Sequence, residues 1–153
     1  MRLLKLAVII PLMIAPAAGA QSQTCDAAAF RSVVSAASAS ISELHEKNNK
    51  IFQEKLQKLK AASGWSDADY VAKATPFVKD DVTASLDAAN QTLLAKVQSF
   101  NGEQAGSDAG RCSMLQELKS LMQQVVANTD TKWQHLISKV TLASGETVQA
   151  GAH

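Results

Sequence analysis

Cysteine, arginine, proline and aromatic residues are all scarce in this chain, and each shortage removes a class of answer. The two cysteines, Cys25 and Cys112, are far apart, so there is no Cys-x-x-Cys pair for redox chemistry or metal binding. Beyond the first twenty residues the only arginines are Arg31 and Arg111. A nucleic-acid binder needs a basic face that displaces phosphate counterions, and none is visible. Anionic membrane surfaces are disfavoured for the same reason. A single proline, Pro76, interrupts the body of the chain. Catalytic signatures are missing too: no Gly-rich phosphate loop, no His-Glu-x-x-His, no Cys-x-x-Cys-His and no serine in a nucleophile-elbow setting. No Asp-x-Asp-x-Asp-Gly loop signals calcium. The expectation is a protein without catalytic residues.

Residues 1–20 read as a secretory signal peptide. Arg2 and Lys5 supply the positive start, Leu6 to Ile14 an apolar centre, and Ala18-Gly19-Ala20 a small-residue cleavage site before Gln21. Pro11 and Pro16 break the apolar stretch well short of the roughly 20 residues that span a bilayer. Of the 15 basic residues two leave with this leader, so 13 remain against 14 acidic ones, a nearly neutral mature chain. The expected location is the periplasm or the exterior, with no stable membrane insertion after cleavage.

Three long amphipathic runs follow. Over 26–62, Phe30, Val34, Ala37, Ile41, Leu44, Asn48, Ile51, Leu56 and Leu59 recur at near-helical spacing. Glu43–Lys47, Glu46–Lys50 and Glu54–Lys58 are i,i+4 pairs in the favourable order on the wet side. Asn48 on the apolar seam either fixes register or oligomeric state, or turns to water at the seam's edge. A second start is marked by Ser66 as N-cap, by Asp67 and Asp69 near the positive helix end, and by Trp65 and Tyr70 at the two positions of a hydrophobic staple. Pro76, with Thr75 before it, either begins a new helix or kinks a continuous one. The apolar face resumes as Phe77, Val78, Val82, Leu86, Ala89, Leu93, Val97 and Phe100. Residues 101–111, rich in Gly, Ser and Asp, read as a connector. The last run, 112–140, carries Leu115, Leu118, Met122, Val125, Thr129, Trp133, Leu136 and Val140 on one face. Ser113 and Gln116 fit a capping box at its start, and Gly145 a left-handed stop.

The fold expected is therefore all-α: an antiparallel bundle of three long helices, or four if Pro76 splits the middle arm. The bundle domain spans 21–145, and 146–153 form a flexible tail. Cys25 and Cys112 fall at helix starts that such a bundle places at one end, and an oxidising compartment would join them in a disulfide. The same alignment sets His45 and His135 at similar heights on parallel helices. They are the candidate ligands of a transition metal or haem. The leading expectation remains an exported, non-enzymatic protein with no cofactor that works by binding an unidentified protein partner, as a stress chaperone or assembly adaptor. The alternative is the metal- or haem-carrying bundle, and an effector secreted onto another cell is a third. Homodimerisation through the amphipathic helices is left open.

Overall fold

In the computed structural model, residues 24–100 and 107–145 are described. The expected leader, part of the connector and the tail at 146–153 lie outside them. Four helices form: α1 (Ala27–Ala62), α2 (Asp67–Val78), α3 (Asp81–Gln98) and α4 (Asp108–Ala143). Among the described residues there is no strand. Cys25 is bonded to Cys112, so α1 and α4 start together and run parallel, while α2 and α3 return between them. The middle arm is split, which makes an up-down-up bundle of four helices.

Local chemistry sets most of the boundaries. Asp26 caps α1 by accepting from the Ala29 N–H at 2.9 Å, and Gly64, at φ +65°, takes the left-handed turn that ends it. Ser66 caps α2 as the sequence suggests, accepting from the Asp69 N–H at 3.2 Å. Trp65 and Tyr70 both pack against the core, and Lys60 lies 5.2 Å above the Tyr70 ring. Gly145, at φ +72°, follows the end of α4.

Two boundaries differ from expectation. The middle arm does not break at Pro76, which sits inside the last turn of α2. It breaks at Lys79, where extended backbone follows, and Asp80 restarts the chain through a capping box with Thr83. Pro76 has no N–H to give the Ala72 carbonyl, and the helix ends two residues after it. At the other end α4 starts at Asp108, not at 112. Ser107 accepts from the Gly110 N–H at 3.1 Å, and the Ser113–Gln116 box is not used as a cap.

The last helix is the scaffold. The backbones of α1, α2 and α3 all approach α4, whereas α1 and α3 scarcely approach one another. Leu115, Leu118, Met122, Val125, Thr129, Trp133, Leu136 and Val140, the face read from the sequence, are all buried, with Leu121 and Thr141 beside them. Each large apolar side chain so buried contributes roughly 1.5–3 kcal/mol. The core is unequal along its length. At the α2 end Phe52, Leu56, Leu59, Ala74, Trp133, Leu136 and Val140 form one cluster. At the disulfide end the buried cluster is only Ala37, Leu118 and Met122. Asn48 is 3% exposed, so the expectation that it turns to water fails. The three i,i+4 ion pairs expected on the outer side of α1 are not closed among the described residues.

Candidate interaction surface

The way α3 sits on α4 explains why a cleft remains. Its inner stripe is Thr83, Leu86, Asn90, Leu93, Val97 and Phe100, separated by steps of three and four. Of these only Thr83 is fully buried, and Val82, expected to face inward, is 46% exposed. Polar contacts fix the rotation. Asp87 receives Lys132 on both carboxylate oxygens at 2.7 Å, and Lys96 pairs with Glu117 at 2.6 Å. Asn128 donates to Asn90 at 3.0 Å, and Asn90 donates to Thr129 at 3.5 Å. Exposed pairs of this kind contribute under about 1 kcal/mol each, so they set direction more than strength.

Asp80 joins the break in the middle arm to α4. One carboxylate oxygen caps α3, accepting from the Thr83 N–H at 2.8 Å. The other accepts from Lys139 at 2.5 Å and from His135 Nε2 at 2.7 Å. An ionised carboxylate only accepts, so the hydrogen of that second bond sits on Nε2. Lys139 also donates to the Pro76 carbonyl, tying the end of α2 to the same point. Lys139 first, then His135 and the Thr83 backbone, hold the Asp80 carboxyl well below the usual carboxylate range. Sequence reading passed over this residue. The signal was an Asp with Thr at the third following position, a less familiar capping box than one closed by Glu or Gln.

The two histidine rings meet different neighbours. His45 meets Trp133 edge to face, with ring centres 5.5 Å apart and planes at 83°. His135 lies two residues beyond Trp133, about 200° round the helix, and faces Asp80. Among the described residues no group of three His, Cys, Asp or Glu side chains is placed to hold a metal ion.

What the fold does open is a groove between α1 and α3, floored by α4. Near the disulfide end it holds about 720 Å³ between Phe30, Val34, Ser38 and Ser42 of α1, Val97 of α3 and the adjoining Phe100, and Leu118 of α4. Further along, a cleft of about 510 Å³ lies among His45, Asn49, Val78, Trp133 and Leu136. Small residues on α1 account for the gap, since Ser35, Ser38, Ala39 and Ser42 have no reach toward α3. Val34 is left 41% exposed. Trp133, 8% exposed, lines the second cleft with its indole N–H buried and without an acceptor among the described residues. This arrangement offers apolar contact with scattered polar and charged groups, Arg31 at the first cleft and Glu46 and Lys132 at the second. Among the described residues no helix is long and apolar enough to cross a membrane.

The geometry thus defines the class: a disulfide-joined, all-α bundle built on its last helix. Comparison with protein-family models, curated proteins and solved structures finds no match, so no closer kinship is assigned.

Proposed function

We propose that this is an exported, non-enzymatic protein that works by holding a segment of another protein in the groove between α1 and α3, as a chaperone-like factor or assembly adaptor of the periplasm or exterior. The observation that carries the reading is the separation of α1 from α3. Both helices pack on α4, yet between them Val34 is left exposed, and Phe30, Val97 and Phe100, which pack on the Ala37–Leu118–Met122 cluster, are only half-buried. Apolar side chains left open to water in this way are what protein partners bury. The Cys25–Cys112 bond supports an oxidising compartment, as does the leader read in residues 1–20.

The test pairs two measurements. Purified protein should slow the aggregation of a reduced client, and Val34→Asp should abolish the effect while leaving the helical content unchanged. In cells of the source organism, cross-linking should trap the same protein on a partner. Failure of both measurements would remove the reading. The alternative carrier of metal or haem through His45 and His135 finds no supporting observation, since the two rings face different neighbours.

A further inference from the structure

We propose that the opposite face of the molecule, where α1 and α4 lie side by side away from α3, docks a second copy of the same chain in antiparallel orientation. This stands independently of the groove between α1 and α3. The face carries its own groove of about 740 Å³ with an apolar floor that includes Val33, Ala36, Leu44, Met122 and Val126. Between the levels of Ser32 and Lys47 it runs for about 22 Å at the rise of an α-helix. Alanine and serine at Ala36, Ala37 and Ser40 leave room for another backbone to come close.

Charge selects the occupant. Four ionic side chains ring this groove, Glu43 and Lys47 on α1 with Lys119 and Asp130 on α4. None of the four makes an ion pair or side-chain hydrogen bond among the described residues. The side of α4 that meets α3 is the reverse, with Glu117, Lys132 and Lys139 all paired. Unpaired charges around an apolar floor are what a partner of fixed charge pattern would complete.

Register shows that the pattern is self-complementary. The disulfide joins Cys25, two residues before α1, to Cys112 in the first turns of α4, residues 87 apart at the starts of parallel helices. An α4 residue therefore lies level with the α1 residue numbered 87 lower, which sets Lys119 beside Ser32 and Asp130 beside Glu43. That both Ser32 and Lys119 also line the cleft next to the disulfide agrees with this register. Two copies related by a twofold axis in the interface can meet face to face in two ways. If parallel, α1 of each copy covers α4 of the other at the same height, and Glu43 confronts Asp130, acid against acid. If antiparallel, α4 covers α4 about an axis near Gln123 and Val126. Lys119 of each copy then meets Asp130 of the other, twice. Only the antiparallel dimer turns Lys119 and Asp130 into attraction, with Glu43 and Lys47 left on the rim, and the small residues near its axis allow the approach.

The experiment is sedimentation equilibrium on the mature, oxidised protein across a wide concentration range, at low and at high salt. A concentration-dependent dimer is expected, weaker in high salt. Lys119→Asp alone and Asp130→Lys alone each create two like-charged contacts per dimer and should raise the dissociation constant about tenfold or more. The double variant restores both pairs with the signs exchanged, and its constant should return to within about threefold of the parent's. Circular dichroism at monomeric concentration should give one melting curve for all four proteins, because neither side chain has a partner among the described residues. A monomer at every concentration overturns the proposal. So does a dimer that either single change leaves unmoved, or that the double change fails to rescue.

Discussion

Removal of the disulfide is the perturbation whose magnitude the structure fixes best. Cys25 and Cys112 are joined across a sequence separation of 87, and they close the end where the buried cluster is only Ala37, Leu118 and Met122. In the chain-entropy relation a loop of that length restrains the unfolded ensemble by about 4 to 5 kcal/mol at 25 °C. Domains of this size are stable by about 5–15 kcal/mol in total, so the bond supplies a large share. With a urea slope near 2 kcal/mol/M, replacing both cysteines by alanine should lower the midpoint by about 2 M. The melting temperature should fall by something on the order of 10–20 °C. The loss should also be uneven. Amide exchange ought to quicken most over 27–42 and 108–122, and least around Phe52, Leu59 and Val140, where the larger cluster persists. The assay is urea unfolding followed by far-ultraviolet circular dichroism, with exchange read by mass spectrometry. A midpoint shift below about 0.5 M, or a loss of protection spread evenly along both helices, would refute the argument.

Other consequences follow from single side chains. Phe52→Ala empties a site 3% exposed beside Leu56 and Trp133, and should cost about 3–5 kcal/mol in the same unfolding assay. Because the Asp80 carboxyl titrates below its ordinary value, its contribution is complete above the unfolded-state pKa of 3.8 and is lost as pH falls from there through the folded value. Asp80→Asn keeps an N-cap but should flatten this acid limb in a pH series of melts; an unchanged limb would exclude Asp80 as its source. Gly64→Ala meets no atom within 4 Å, yet it forces a left-handed φ of +65° on a residue with a Cβ, so about 1 kcal/mol of destabilisation is expected by urea titration.

The sequence made the scaffold legible because burial follows the 3.6-residue period wherever apolar contact decides the outcome. The stripe from Leu115 to Val140, the cap at Ser66 and the glycine stop at 145 all reflect local or one-sided forces that a linear pattern records. The middle arm resists the same method. Its rotation is set by Asp80, Asp87 and Asn90 reaching partners 38 to 59 residues away in sequence, and that turns Val82 outward. The break moved from Pro76 to Lys79 for a related reason: Asp80 gains a cap and two partners on α4, whereas Pro76 closes an existing helix. For His45 and His135, spacing along the chain gave height but carried no information about facing direction. The groove was hidden because Val34 and Phe30 look like ordinary core residues until the short side chains of Ser35, Ser38 and Ser42 are seen to leave α3 at a distance.

The central claim is that the groove between α1 and α3 holds a protein partner, and site-specific photo-cross-linking in the living source organism tests it most directly. A photoreactive residue placed at Val34, on the groove, is compared with one at Lys58, on the outward side of α1. The account predicts a discrete adduct of higher mass from position 34 and none from position 58, with the adduct lost when Phe100→Asp is added. Equal labelling from both positions, or no adduct from position 34, would contradict it.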